Sequence, residues 1–149
     1  MDTLEVIRKA EENGGKERRS ALEEVVIHAH QLGCDTRVGG GASGGLNIRY
    51  GSIGYAVMDI NTEGTVKLYA QPHPNKEAPE ALHESINKFI SDHKALEPKS
   101  LPINTYGHLE DKIEEIDVTQ LKQFLDRVVE LIWGEYYEPY VEQEYLGTR

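Results

Sequence analysis

Three residues have the types and the approximate spacing of a metal-dependent nuclease site. Asp59, Glu63 and Lys67 flank the turn between two predicted strands. Such nucleases carry one acid on a strand and a Glu-x-Lys pair on the next, so that the carboxylates hold a metal ion beside the lysine. Here Glu63 falls in the turn, and Thr65 stands two residues before Lys67, where the second acid is needed. The pattern therefore predicts a turn acid and a solvent-facing lysine.

A glycine-rich segment, residues 39–45, is a second candidate because backbone N–H groups of such loops can bind a phosphate or another anion. Its candidate ligands are Gly40, Gly41, Ser43 and Gly44. Nucleotide-binding loops of this kind lie between a strand and a helix, whereas a predicted strand follows this one. We interpret the segment as a flexible hairpin loop. The alternative is a lid over a small-ligand or hydrolytic site that includes Asp59, Lys67 or His73.

The histidines and the cysteine form no recognisable metal or nucleophile motif. His28 and His30 are two residues apart on a predicted helix, so their side chains diverge, whereas a helical zinc pair is spaced by four. The single cysteine, Cys34, excludes an internal disulfide and an all-cysteine metal site. Residues 41–45, Gly-Ala-Ser-Gly-Gly, resemble a Gly-x-Ser-x-Gly elbow only superficially, because a predicted strand follows them where the elbow needs a helix. We therefore predict no catalytic residue, no metal and no cofactor.

A polar and aromatic sheet face is the first of two predicted binding surfaces. If Ile48 and Leu68 point to the core, alternation places Asn47 and four candidate binding residues on the opposite face. These four are Arg49, Lys67, Tyr69 and Gln71. Some modules stack nucleic-acid bases on such a face, and others bind proteins there. The alternative is an ordinary half-exposed sheet surface.

The second predicted binding surface is an aromatic segment near the end of the chain. Its candidate residues are Trp133, Tyr137 and Tyr140, interspersed with glutamates. Aromatic residues with a charged rim are typical of protein–protein interfaces. The alternative is that Trp133 and Tyr136 close the core while the other tyrosines lie on a frayed end.

Helical periodicity predicts the elements that flank the sheet. An N-terminal helical hairpin covers residues 2–13 and 16–32, with a break at Asn13-Gly14-Gly15 and an end at Gly33. Two C-terminal helices follow. One covers residues 79–93, and the other begins at Asp117, which can cap its first turn.

Alternation of apolar and polar residues predicts the strands. Three strands form an antiparallel meander, and a fourth short strand precedes them. Their predicted ranges are 46–50, 53–60, 65–71 and 35–38. We therefore predict an α+β fold, with a three- to four-stranded antiparallel meander packed with the N-terminal helical hairpin and the two C-terminal helices.

The length and the net charge of the chain limit the number of domains and the kinds of partner that we expect. The chain of 149 residues fits a single domain over 1–137, followed by an acidic aromatic tail over 138–149. No apolar run is long enough for a membrane span, and the acidic N-terminus is not a signal peptide, so we expect a cytoplasmic protein. The net charge of −10, concentrated in residues 108–149, opposes binding to nucleic acid and anionic lipid.

Residues 62–71, Thr-Glu-Gly-Thr-Val-Lys-Leu-Tyr-Ala-Gln, resemble a recurring segment of small uncharacterised bacterial α+β domains, which carry a strand that reads roughly Gly-x-Val-x-Leu/Ile-Tyr-x-Gln. The resemblance implies a helical N-terminus, a glycine-containing hairpin and a helical C-terminal half. It implies no activity and no catalytic residue. The absence of a convergent catalytic set, together with the two predicted binding surfaces, favours a non-enzymatic protein-interaction module that binds a protein partner or itself as a homodimer. The alternatives are the ligand-binding or hydrolytic enzyme with the glycine loop, and a nucleic-acid-associated protein.

Overall fold

The computed structural model describes an N-terminal helical region, an antiparallel sheet and a C-terminal helix, so the predicted α+β class is confirmed. The described residues are 2–39, 44–51, 55–69, 84, 85, 88 and 107–138. Several predictions lie outside this part of the chain. They concern the helix at 79–93 apart from its three described helical positions, the tail beyond 138, and the candidate residues Gly40, Gly41, Ser43, Gln71, His73 and Tyr140.

The N-terminal helical region, α1, runs from Thr3 to Gln31. It begins at Asp2, whose carboxylate accepts a hydrogen bond from the Glu5 backbone N–H at 2.9 Å. Gly15 interrupts the helical backbone with φ 84° and ψ −174°, so the region consists of two helical arms. The predicted break at Asn13-Gly14-Gly15 is therefore present at its last residue.

The sheet contains the four predicted strands and one more. The order β1-β2-β3-β4-β5 follows the chain, and every neighbouring pair is antiparallel. The strands are β1 Asp35–Val38, β2 Gly45–Tyr50, β3 Tyr55–Asn61, β4 Val66–Leu68 and β5 Gly107–His108. Between β3 and β4, the Asn61 side chain accepts a hydrogen bond from the Thr65 N–H at 3.0 Å, which stabilises the turn.

A β-bulge in β3 changes the alternation expected of that strand. Ile48 lies opposite Met58, but the next residue, Arg49, lies opposite Ala56. Val57 therefore has no opposite residue on β2 and is the extra residue of the bulge. Because the bulge inserts one extra residue, the side chains before and after it no longer alternate in step between the two faces of the sheet. The neighbouring residues Val57 and Met58 can therefore both belong to the hydrophobic core.

The core lies between one face of the sheet and the helices. α2 covers Val118–Ile132, and its N-cap Asp117 accepts a hydrogen bond from the Thr119 N–H at 3.0 Å, as its position predicts. A short 3-10 helix, Ile113–Glu115, precedes it. The largest fully buried side chains of the hydrophobic core come from both the helices and the sheet: Leu22, Leu46, Ile48, Tyr55, Met58, Ile60, Leu68, Ile113 and Phe124.

Candidate functional site

A row of polar positions crosses the sheet on all five strands. Arg37 pairs with Asn47, Asn47 with Asp59, Asp59 with Lys67, and Lys67 with His108. Asn47, Asp59 and Lys67 are half-buried. The structure thus brings Lys67 beside two polar residues of the central strands, as a direct result of the strand register.

A hydrogen-bond network links this row to Tyr69. The Tyr69 hydroxyl donates to the Asp59 carboxylate and accepts from the Asn47 amide nitrogen at 3.4 Å. Because a hydroxyl has one proton to donate, the amide must present its NH₂ group to Tyr69. The Asn47 Oδ1 atom is consequently left shielded from solvent and without a hydrogen-bond partner.

The charge balance of the network centres on Asp59. Burial raises the pKa of the Asp59 carboxyl, and this effect outweighs the nearby Lys67 ammonium, the Ile60 N–H, the Tyr69 hydroxyl and the Arg49 guanidinium, which lower it. Tyr69 is only 6% exposed. Arg49, Lys67 and Tyr69 therefore belong to a partly buried polar network, and the Tyr69 ring does not form an open surface for stacking.

The sheet brings together only part of the residue set that a metal-dependent nuclease needs. Asp59 and Lys67 do lie opposite each other, but Glu63 is exposed in the turn and Thr65 precedes the strand. Within the described residues, no group of three or more His, Cys, Asp or Glu side chains is arranged to hold a metal ion. The expected turn position of Glu63 is thus confirmed, whereas Lys67 is half-buried rather than fully solvent-facing.

A surface cluster of three aromatic rings forms the second candidate site. Trp133 and Tyr137 are in contact, with ring centroids 5.9 Å apart, and Tyr137 meets Tyr50 edge-on at 6.3 Å. We call Tyr50, Trp133 and Tyr137 the aromatic patch. Trp133 is 51% exposed and lies outside the core, whereas Tyr50 and Tyr137 pack against the core. The inner two rings thus support an outer ring that faces solvent.

Local backbone geometry places these rings together. Immediately after α2, residues Trp133–Tyr137 form a π-helical turn. Such turns are rare and often occur at functional sites, because the wider turn redirects side chains. The Tyr137 ring lies against Gly51, where a Cβ atom would overlap its hydroxyl, and Gly51 has a φ of 79°. Glycine at this position therefore makes room for Tyr137 beside Tyr50.

Sequence reasoning identified two members of the patch and missed the third. The aromatic and acidic composition of the segment predicts Trp133 and Tyr137, and the structure brings them together. Tyr50 ends a strand far away in the chain, and no local pattern connects it with the C-terminal segment. The Gly51 that follows it was the available signal, because a glycine directly after a strand often allows close approach of another group.

No protein-family model matches the chain, and no curated protein and no solved structure is significantly similar to it. The resemblance of residues 62–71 to small bacterial domains therefore stays a prediction. Among the helices that the structure describes, none is long and apolar enough to cross a membrane.

Proposed function

We propose that this protein is a non-enzymatic protein-interaction module that binds a partner protein through the aromatic patch. The observation that carries the proposal is the half-exposed Trp133 ring, held against Tyr137, which in turn contacts Tyr50. Tryptophan and tyrosine are enriched among the residues that dominate binding energy at protein interfaces.

The arrangement favours binding for two physical reasons. Trp133 still exposes about half of its surface, so burying roughly 100 Å² of ring against a partner contributes on the order of 2.5 kcal/mol. Its contact with Tyr137 also restricts the ring before a partner arrives, which lowers the entropy that binding must overcome. Within the described residues, the Trp133 side chain makes no hydrogen bond or ion pair that would compete with a partner.

A photo-crosslinking experiment tests the proposal. A photoreactive phenylalanine analogue replaces Trp133 in one variant and Ile27, an exposed residue of α1 with 56% exposure, in the control variant. We expect one dominant adduct from position 133 that position 27 does not give. The adduct partner, identified and purified, should bind the unmodified chain, and Trp133→Ala should weaken that binding at least tenfold.

Two results would contradict the proposal: equal adducts from both positions, or a purified partner that binds the Trp133→Ala variant as tightly as the native chain. An adduct between two copies of the chain would support the interaction module and identify the partner as a second copy.

A further inference from the structure

We infer that the partner presents an arginine-rich, positively charged segment to the aromatic patch. The inference rests on the proposed function and names the chemistry of the partner. It is carried by the distribution of charge around Trp133, which is independent of the ring contacts that define the patch.

The chain segment around Trp133 is acidic. Residues 128–148 contain no lysine, arginine or histidine. They contain five glutamates, which are Glu130, Glu135, Glu138, Glu142 and Glu144. Glu130 and Glu138 lie within one helical turn or so of Trp133 on either side, and both are exposed. Trp133 is therefore an exposed ring that is flanked in the chain by two exposed carboxylates.

The positively charged or titratable side chains that are nearest to Trp133 in the sequence do not neutralise both of these glutamates. Arg127 contacts Glu130 at 3.5 Å, but both side chains are exposed, and such pairs are weak. His28 of α1 contacts Asp126, one turn before Glu130, at 2.6 Å. Neither contact involves Glu138.

An arginine fits both features of the patch at once. The face of an indole ring attracts a guanidinium group through its quadrupole, and neighbouring carboxylates can accept hydrogen bonds from the same group. A lysine would make the ionic contact with less stacking. A second copy of this chain would instead oppose glutamates to glutamates, which is repulsive, so the charge pattern favours a basic partner over a homodimer.

The single tryptophan allows a direct test, because the intrinsic tryptophan fluorescence of the full chain comes from Trp133 alone. Hexa-arginine, hexa-lysine and hexaglutamate peptides serve as probes. We expect a saturable emission change with hexa-arginine, weaker binding of hexa-lysine and no change with hexaglutamate. Because the carboxylates are exposed, raising the salt from about 50 to about 300 mM should weaken hexa-arginine binding severalfold.

Matched variants separate a local site from the overall negative charge. Glu130→Gln/Glu138→Gln removes two exposed carboxylates beside the patch. Glu12→Gln/Glu17→Gln removes two exposed carboxylates on α1 and changes the net charge equally. We expect the first pair to weaken hexa-arginine binding at least fivefold and the second pair to change it less than twofold. Equal weakening by both pairs, or no binding of hexa-arginine, would overturn the inference.

The two proposals fail in distinguishable ways. If position 133 gives a specific adduct but hexa-arginine does not bind, the interaction module stands and the arginine-rich partner is wrong. If position 133 gives no specific adduct, the module itself is wrong, whatever the peptides do.

Discussion

Arg18 and Glu114 form a bidentate ion pair between α1 and the 3-10 helix. The Arg18 Nη2 atom lies 2.7 Å from Glu114 Oε2, and its Nε atom lies 3.0 Å from Oε1. Only 9% of the Arg18 side chain and 19% of the Glu114 side chain are exposed. Arg18 Nη1 also donates to the Thr62 carbonyl at 3.3 Å. One guanidinium group therefore connects α1, the β3–β4 turn and the segment before α2.

We expect Arg18→Ala to lower the free energy of unfolding by about 3 kcal/mol, because it leaves the Glu114 carboxylate partly buried without its partner. The matched control is Arg19→Ala. Arg19 pairs with Glu11 at 2.6 Å and Glu23 at 2.7 Å, but these side chains are far more exposed, so its loss should lower the free energy of unfolding much less than the loss of Arg18. Urea unfolding measures both values, and equal losses would contradict the prediction.

The Asp59 carboxyl should make stability depend on pH in a defined direction. Burial raises its pKa in the folded state above the ordinary value of 3.8. Asp59 therefore contributes stability that is present below pH 3.8 and is lost as the pH rises through the folded pKa. Asp59→Asn removes this titration and keeps an acceptor for the Tyr69 hydroxyl. Its free energy of unfolding, relative to the native chain, should rise from about pH 3.5 to pH 7.

Urea unfolding at several pH values checks this expectation, with the exposed Asp111→Asn as a control for the change in net charge. A relative stability of Asp59→Asn that falls with rising pH would show that Lys67 and Arg49 stabilise the charged carboxylate more than burial destabilises it.

Gly51 should be essential for the arrangement of the aromatic patch. Gly51→Ala places a methyl group on the Tyr137 hydroxyl at a position with positive φ, so we expect a loss of about 1–3 kcal/mol. Displacement of Tyr137 should also change Trp133 emission. Gly134→Ala is the matched control, because no atom lies within 4 Å of the added Cβ atom and alanine favours helix. It should stabilise the chain by up to about 1 kcal/mol, and destabilisation as large as that of Gly51→Ala would refute the comparison.

Cys34 should be chemically inert in the folded chain. The residue is 5% exposed, and burial raises the pKa of its thiol to about 11. At pH 8, roughly one thiol in a thousand is then a thiolate, which is the reactive form. We expect a disulfide reagent to modify the folded protein at least about 100-fold more slowly than the protein unfolded in urea. Comparable rates would mean that the segment between α1 and β1 opens readily.

Much of the fold follows from local sequence signals. Alternation predicts β2 and β4, and Asp117 marks the start of α2 because a helix N-terminus needs an acceptor for its free N–H groups. β5 has only two residues, Gly107 and His108, so it shows no periodicity, and its existence depends on the exposed edge of β4. The bulge at Val57 arises from the register between two strands, which neither strand shows by itself.

In the candidate site too, contacts between residues that are close in the sequence can be predicted, whereas contacts between distant residues cannot. Trp133 and Tyr137 are neighbours on one turn of helix, so their sequence spacing predicts their contact. Tyr50 joins them only through the packing of β2 against the end of α2. Alternation along the strand places Tyr69 on the face of the sheet opposite the predicted core. Its burial in the folded chain depends on tertiary packing, which the strand pattern alone does not show.

The long separation between Arg18 and Glu114 affects the protein during its synthesis. The two residues are 96 positions apart. At ordinary translation speeds of about 5–20 residues per second, the ribosome adds Glu114 about 5–20 s after Arg18. During that interval, Arg18 lacks the carboxylate that later pairs with it, and α1 lacks the packing of α2. The nascent chain therefore cannot form the ion pair that joins α1 to the segment before α2 until its last third has been made.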